Sequence, residues 1–128
     1  MVAHNSWAKV YDRAYKESFG AFYKELTECT LEVIKEEFSE CLKVIDFGAG
    51  TGRLSLPLSQ LGYKVTAVDA SEEMLKELQK KDIEKKINIK SAFMQHFTTD
   101  ERYDASLCVF SVLIYLTDEK SLNQALFN

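Results

Sequence analysis

The stretch Val44-Ile45-Asp46-Phe47-Gly48-Ala49-Gly50-Thr51-Gly52-Arg53 holds the residue types best suited to chemistry. Three glycines alternate directly after a short apolar run. Small residues at a strand tip let the backbone turn sharply and let a ligand come close to the main chain. A helix that starts there points its first amides at that ligand. A second acid, Asp69, lies 21 residues past Gly48, at the end of another apolar run. That spacing sets a carboxylate beside the ribose hydroxyls of a bound nucleoside. Two features at the right mutual distance, on two different elements, say much more than a glycine triplet alone. A dinucleotide fingerprint wants glycine at the sixth position of G-x-G-x-x-G. Here that position is Arg53. Asp46, two residues before Gly48, would repel an anionic pyrophosphate and suit a cation. The sulfonium and ammonium of S-adenosylmethionine fit this charge pattern better than NAD does.

These residues need elements to position them. Leu42 to Phe47 reads as a first strand, and a helix is expected over about Thr51 to Leu61, stopped by Gly62. Pro57, early in that helix, is expected to kink its first turns. Lys64 to Asp69 reads as the second strand. Ser71 suits the N-cap of the next helix, Glu72 and Glu73 suit the positive end of its dipole, and Met74, Leu75 and Leu78 give it a buried stripe. Ile87 to Lys90 reads as a third strand. Tyr103 to Phe110 reads as a fourth, so continuously apolar that both its faces should be covered. A last helix is expected over Asp118 to Phe127. The first forty residues read as helix: a short one over Trp7 to Tyr15, a break at Gly20, and a longer one over Ala21 to Phe38. The longer helix should bury Phe22, Leu26, Cys29, Val33 and Ile34. The lysine-rich stretch Lys76 to Lys90, interrupted by Glu77, Asp82 and Glu84, reads as a solvated face. Strands alternating with helices imply right-handed βαβ units and a parallel sheet.

At these residues the chain resembles a known family. Asp46 to Arg53 is similar to motif I of the class I S-adenosylmethionine-dependent methyltransferases. Val65 to Met74 is similar to their acidic second motif. Tyr103 to Leu113 resembles the fourth strand and following loop of small-molecule methyltransferases, and Trp7 to Tyr15 resembles their cap helix. The resemblance implies an α/β fold, a three-layer Rossmann-like parallel sheet of order 3-2-1-4. It implies a helical cap over residues 1–40 and a cofactor-binding domain over 41–128, ending before strands five to seven. It also implies residue roles. Gly48, Ala49 and Gly50 would line the methionine part of the cofactor, with Asp46 behind them. Asp69 would accept from both ribose hydroxyls. Ala70 and Met74 would pack beside adenine, with Phe93 and Met94 on its other side. Phe110 would offer backbone to the ammonium, and Tyr11, with Tyr15, would close the site from the cap. The family often has an acid after the third strand, where this chain has Ser91-Ala92-Phe93. Adenine recognition would then rest on backbone and apolar contacts. No catalytic residue is assigned. Candidates for a base, should the nucleophile need one, are His4, His96, Tyr11 and Tyr115.

Composition bounds the rest. The chain has 128 residues, 46% hydrophobic and 28% charged, which suits one soluble domain. A net charge of −4 argues against a general nucleic-acid binder and leaves a small molecule as the expected acceptor. No apolar run is long enough for a membrane span, and Met1 to Asn5 begins no signal-peptide pattern, so a cytoplasmic protein is expected. Cys29, Cys41 and Cys108 are odd in number and widely spaced, which excludes a disulfide framework and reads as small hydrophobes. No metal is implied. A fourth strand at the sheet edge would pair with a second copy, as could the terminal helix. Three readings stay open: a methyltransferase fragment that binds cofactor without turnover, an active dimer, and a non-enzymatic binding module.

Overall fold

Short β-branched and aliphatic runs become four parallel strands, and the helices between them leave the sheet by crossover. The computed structural model describes residues 5–40, 43–109 and 119–127. In chain order they form a 3-10 helix Asn5–Val10, α1 Tyr11–Glu37, β1 Lys43–Phe47, α2 Ser55–Gln60, β2 Lys64–Asp69 and α3 Glu72–Lys81. They continue with β3 Asn88–Ser91, a 3-10 turn Met94–His96, β4 Ala105–Cys108 and α4 Glu119–Phe127. The sheet order is β3-β2-β1-β4. The register pairs Val44 with Val65 and Ala105, and Phe47 with Val68 and Cys108. The strand tips therefore share one rim.

Because strand side chains alternate, Val44, Val65, Ala67, Ala105 and Leu107 line one face. They are buried against Ile34, Leu54, Leu58, Leu75 and Leu78. On the opposite face Phe47 meets Phe97 edge-on, with ring centres 5.6 Å apart. There too the Tyr103 hydroxyl lies 3.3 Å from the Thr66 hydroxyl. Ser106 and Cys108 are exposed. The expectation that β4 is covered on both faces is thus corrected: its burial alternates. Polar Ser106 already breaks the apolar run.

Two other expectations shift. The helix after the glycines starts at Ser55, not Thr51. Gly52 has φ +93, a left-handed value outside the α-helical region, and the Leu56 amide bonds back to the Gly52 carbonyl at 3.0 Å. Pro57 then falls third in the helix, within its first turn, and its missing N–H omits the one rung between the Leu56–Gly52 and Leu58–Leu54 bonds. In α1 the break at Gly20 is present (φ 50, ψ −125). The buried face, however, is not the expected one. Ile34 is buried, while Phe22 is 65% and Val33 57% exposed. Leu26 and Cys29 also face out. The helix docks instead through half-buried Tyr23, Thr27 and Leu31 together with Ile34. Cys29 and Cys108 are free and exposed, so neither is a core hydrophobe.

Lys76, Lys80 and Lys86 pair with Glu73, Glu77 and Glu84 on exposed surface, where such pairs add little stability. Among the described residues no helix is long and apolar enough to cross a membrane.

Gly52 is closely packed. A Cβ there would lie 2.3 Å from Leu78 Cδ1 and 3.1 Å from Leu56 Cδ1, at a φ that strains any L residue. Gly52→Ala should lower unfolding free energy in urea by about 2–4 kcal/mol, combining overpacking with backbone strain. A loss under roughly 0.5 kcal/mol, the ordinary surface range, would contradict the close approach of α3.

Candidate functional site

The rim gathers what the sequence separates. The amides of Gly48 and Ala49 both donate to the Val68 carbonyl, at 2.8 and 3.1 Å. The chain leaving β1 is thereby stitched to the end of β2. Asp69 extends that seam. Its Oδ2 accepts from the Gly50 amide at 2.8 Å and its Oδ1 from the Ser71 amide at 2.8 Å. Its carbonyl accepts from the Ala92 amide at 3.0 Å, which brings the segment after β3 to the same place. A carboxylate has about four acceptor positions. Each Asp69 oxygen therefore keeps one for a ligand hydroxyl.

Asp46 lies deeper, 3% exposed, and accepts from the Ser55 hydroxyl at 2.7 Å. Burial pushes its carboxyl up to about 7, the Ser55 bond opposes that rise, and the charge on Asp69 adds to it. The rim thus carries two acids, one of them poised to ionise near neutrality. A cation placed between them would favour the charged form of both.

The other expected residues fall as follows. Ala49 is buried at 6% and Gly50 has φ +57. Met74 is 1% exposed, and a Cβ on Gly50 would sit 3.6 Å from its Cε, so Met74 forms the floor under the glycine turn. Ala70 is half-buried beside Asp69. Phe93 is half-exposed and lies edge-on to His96, while Met94 Sδ is 3.9 Å from Cys108 Sγ at the tip of β4. Tyr11 opens α1 and is half-buried. His96 is exposed. Phe110, His4 and Tyr115 lie outside the described residues. Among the described residues no group of His, Cys, Asp or Glu could hold a metal ion.

Several residues at the site carry no site role in the sequence reading. Ser55 is one, although a lone hydroxyl in Leu54-Ser55-Leu56-Pro57-Leu58 was a signal that something polar faces it. Thr51 Oγ1 donates to Asp12 Oδ1 at 2.5 Å, and Lys81 Nζ contacts Asp12 Oδ2 and donates to the Thr51 carbonyl at 3.1 Å. Asn5 Oδ1 accepts from the Ser71 hydroxyl at 2.5 Å. Arg53 stacks 3.6 Å over the Tyr23 ring, and its Nε donates to Thr27 Oγ1 at 2.6 Å. An arginine at the sixth motif position thus serves as an anchor for α1.

The Asp46 shift has a sign that stability measurements can read. A raised carboxyl means that the folded chain holds the proton longer than the unfolded chain. The stabilisation is full below about pH 4 and is lost as pH rises through about 7. Asp46→Asn should gain on the wild type by a few kcal/mol, on the order of 1.4 per pKa unit, between pH 4 and pH 8. Urea unfolding at stepped pH measures this. A difference that does not vary with pH would mean that Asp46 titrates normally.

The description "Methyltransferase domain" belongs to a family model that matches residues 44–127. The ubiquinone biosynthesis O-methyltransferase of Rickettsia typhi is 28% identical over 117 residues, covering 84% of this chain and 44% of its own length. The chain spans about half the length of the curated relatives it matches. An amino pentose methyltransferase from Micromonospora echinaspora, solved with S-adenosylmethionine, superposes with TM-score 0.75 at 20% identity. That match covers 91% of this chain and 48% of that one. The magnesium protoporphyrin IX methyltransferase of Synechocystis, solved with S-adenosylhomocysteine, gives TM-score 0.73 at 25% identity, covering 87% and 56%. The first structural likeness speaks to the fold alone.

Proposed function

Because the chain belongs to the methyltransferase domain family, we propose that its rim binds S-adenosylmethionine and that the whole protein transfers the methyl group to a small-molecule acceptor. One observation carries this reading. The Asp69 carboxylate holds the Gly50 and Ser71 amides at 2.8 Å and keeps acceptor capacity on both oxygens. It stands at the tip of β2, beside the crevice where strand order reverses between β1 and β4.

The residues suit this cofactor. Asp69 would take the ribose hydroxyls, and Gly48, Ala49 and Gly50 would lie against the methionine portion. Asp46 and Asp69 together favour a cation and disfavour the pyrophosphate of NAD. Ala70, Phe93 and Met94 would flank adenine, over the Met74 floor. Tyr11 would cover the crevice from the cap, here taken as residues 1–40, over a binding domain of 41–128. Phe110 would complete the ammonium contact. The bound cofactor supplies an activated methyl group on a good leaving group. The protein's part is then alignment and exclusion of water, with no obligatory triad.

Relatives named for ubiquinone biosynthesis, an amino pentose and magnesium protoporphyrin IX support a small-molecule acceptor. The net charge of −4 supports it too. The same proposal places the protein in the cytoplasm. It also lets a second copy pair along the outer edge of β4, whose only sheet neighbour among the described residues is β1.

Calorimetric titration of S-adenosylhomocysteine into the chain is the primary test, with NAD as the control. Asp69→Ala should weaken binding about 10- to 100-fold, the worth of charge-assisted hydrogen bonds. Equal affinity in wild type and variant, or tighter binding of NAD, overturns the assignment.

A further inference from the structure

We propose that Asp12, with Lys81 and Thr51, is a latch that holds the first stretch of α1 on the glycine turn and sets how fast the adenosyl ligand enters and leaves. The inference rests on the cofactor reading above and adds a control to it.

Gly20 divides α1 into two stretches. Its backbone is non-helical, and a Cβ there would meet nothing within 4 Å. The break is therefore unsupported by packing, as a hinge requires. The two stretches are held by different means. Beyond Gly20, Arg53 grips Tyr23 and Thr27, and Ile34 is buried in the core. Before Gly20, Ala8 is buried where the 3-10 helix packs on α3, and two polar contacts tie the chain to the site. Asn5 accepts from Ser71, two residues past Asp69, and Asp12 accepts from Thr51 and Lys81. Thr51 and Arg53 lie two residues apart, so one glycine turn anchors both sides of the hinge.

The chemistry of the latch suits release as well as closure. Asp12 sits in the first turn of α1 and Lys81 at the end of α3, each at the helix end that its charge favours. Lys81 also donates to the Thr51 carbonyl, which closes a three-membered ring of contacts. The Lys81 and Asp12 side chains are nonetheless 37% and 45% exposed, so water and salt weaken the pair. The contact is strong enough to bias the segment and weak enough to open in the normal working cycle.

Asp12, Thr51 and Lys81 bond to one another and need no ligand to do so. A latch of this kind stabilises the closed segment equally with and without cofactor. It acts on both rates and leaves affinity nearly alone, unlike Asp69, which would act on affinity. Asp12 is thus a positioning residue, acting through the segment that carries Tyr11.

Stopped-flow binding of S-adenosylhomocysteine tests it. Asp12→Ala and Lys81→Met should each raise association and dissociation rates about 5- to 10-fold, with the dissociation constant within roughly threefold of wild type. The double variant should be no faster than either single one, because the two residues form one contact. Unchanged rates, or additive effects, overturn the latch. A loss of affinity with an unchanged association rate would make Asp12 a binding residue instead. Amide hydrogen exchange in the unliganded chain gives an independent reading. Residues 11–19 should exchange faster in both variants, while Lys43–Phe47 keeps its protection. Equal exchange over 11–19 would overturn the latch. Absence of any binding by wild type would instead overturn the cofactor reading.

Discussion

The last two residues of β2 hold three of the four chain segments that leave the sheet at its carboxyl rim. The Val68 carbonyl takes the Gly48 and Ala49 amides, the Asp69 carboxylate takes those of Gly50 and Ser71, and the Asp69 carbonyl takes that of Ala92. The glycine turn therefore owes its shape to a neighbouring strand as much as to its own residues. Positive φ at Gly48, Gly50 and Gly52 makes the path available, and Asp69 selects it. A carboxylate with this structural duty is already ordered when a ligand reaches it. The entropy of fixing an acceptor, which binding normally bears, has been spent in folding.

The same rim explains why part of the molecule was legible and part was not. The four strands, the acid at the tip of β2, the Ser71 cap and the break at Gly20 follow from local patterns: strand runs, a spacing, an N-cap, a residue free of side-chain sterics; the sheet order comes from the family resemblance instead. The face of α1 was not legible in this way. Phe22, Leu26, Cys29 and Val33 recur at helical spacing, and periodicity says that such a stripe exists without saying which side meets the core. Arg53 decides the matter by gripping Tyr23 and Thr27, 30 and 26 residues away in sequence. Asp12, Thr51 and Lys81 likewise meet across separations of 39 and 69 residues. No short-range signature encodes such contacts. The late start of α2 was readable in principle, since a glycine at a left-handed turn cannot also begin a helix.

Electrostatics give the site its character. Asp46 is buried beneath the turn and accepts from the Ser55 hydroxyl, and Asp69 stands near enough to add to its reluctance to ionise. A buried acid next to a second acid carries a cost that a positive ligand would relieve. On the proposed reading, recognition of charge would work by removing a repulsion as well as by adding an attraction.

The outward face of α1 bears on how the molecule behaves in bulk solution. Phe22 and Val33, both more than half exposed, and the neighbouring Leu26 form an apolar ribbon along this helix. Ions that salt proteins out make such ribbons stickier, since they are excluded from protein surface and favour its burial. Solubility should then respond to this helix flank as well as to the overall charge. Sulfate-rich buffers would be the poorest choice for concentrating the protein.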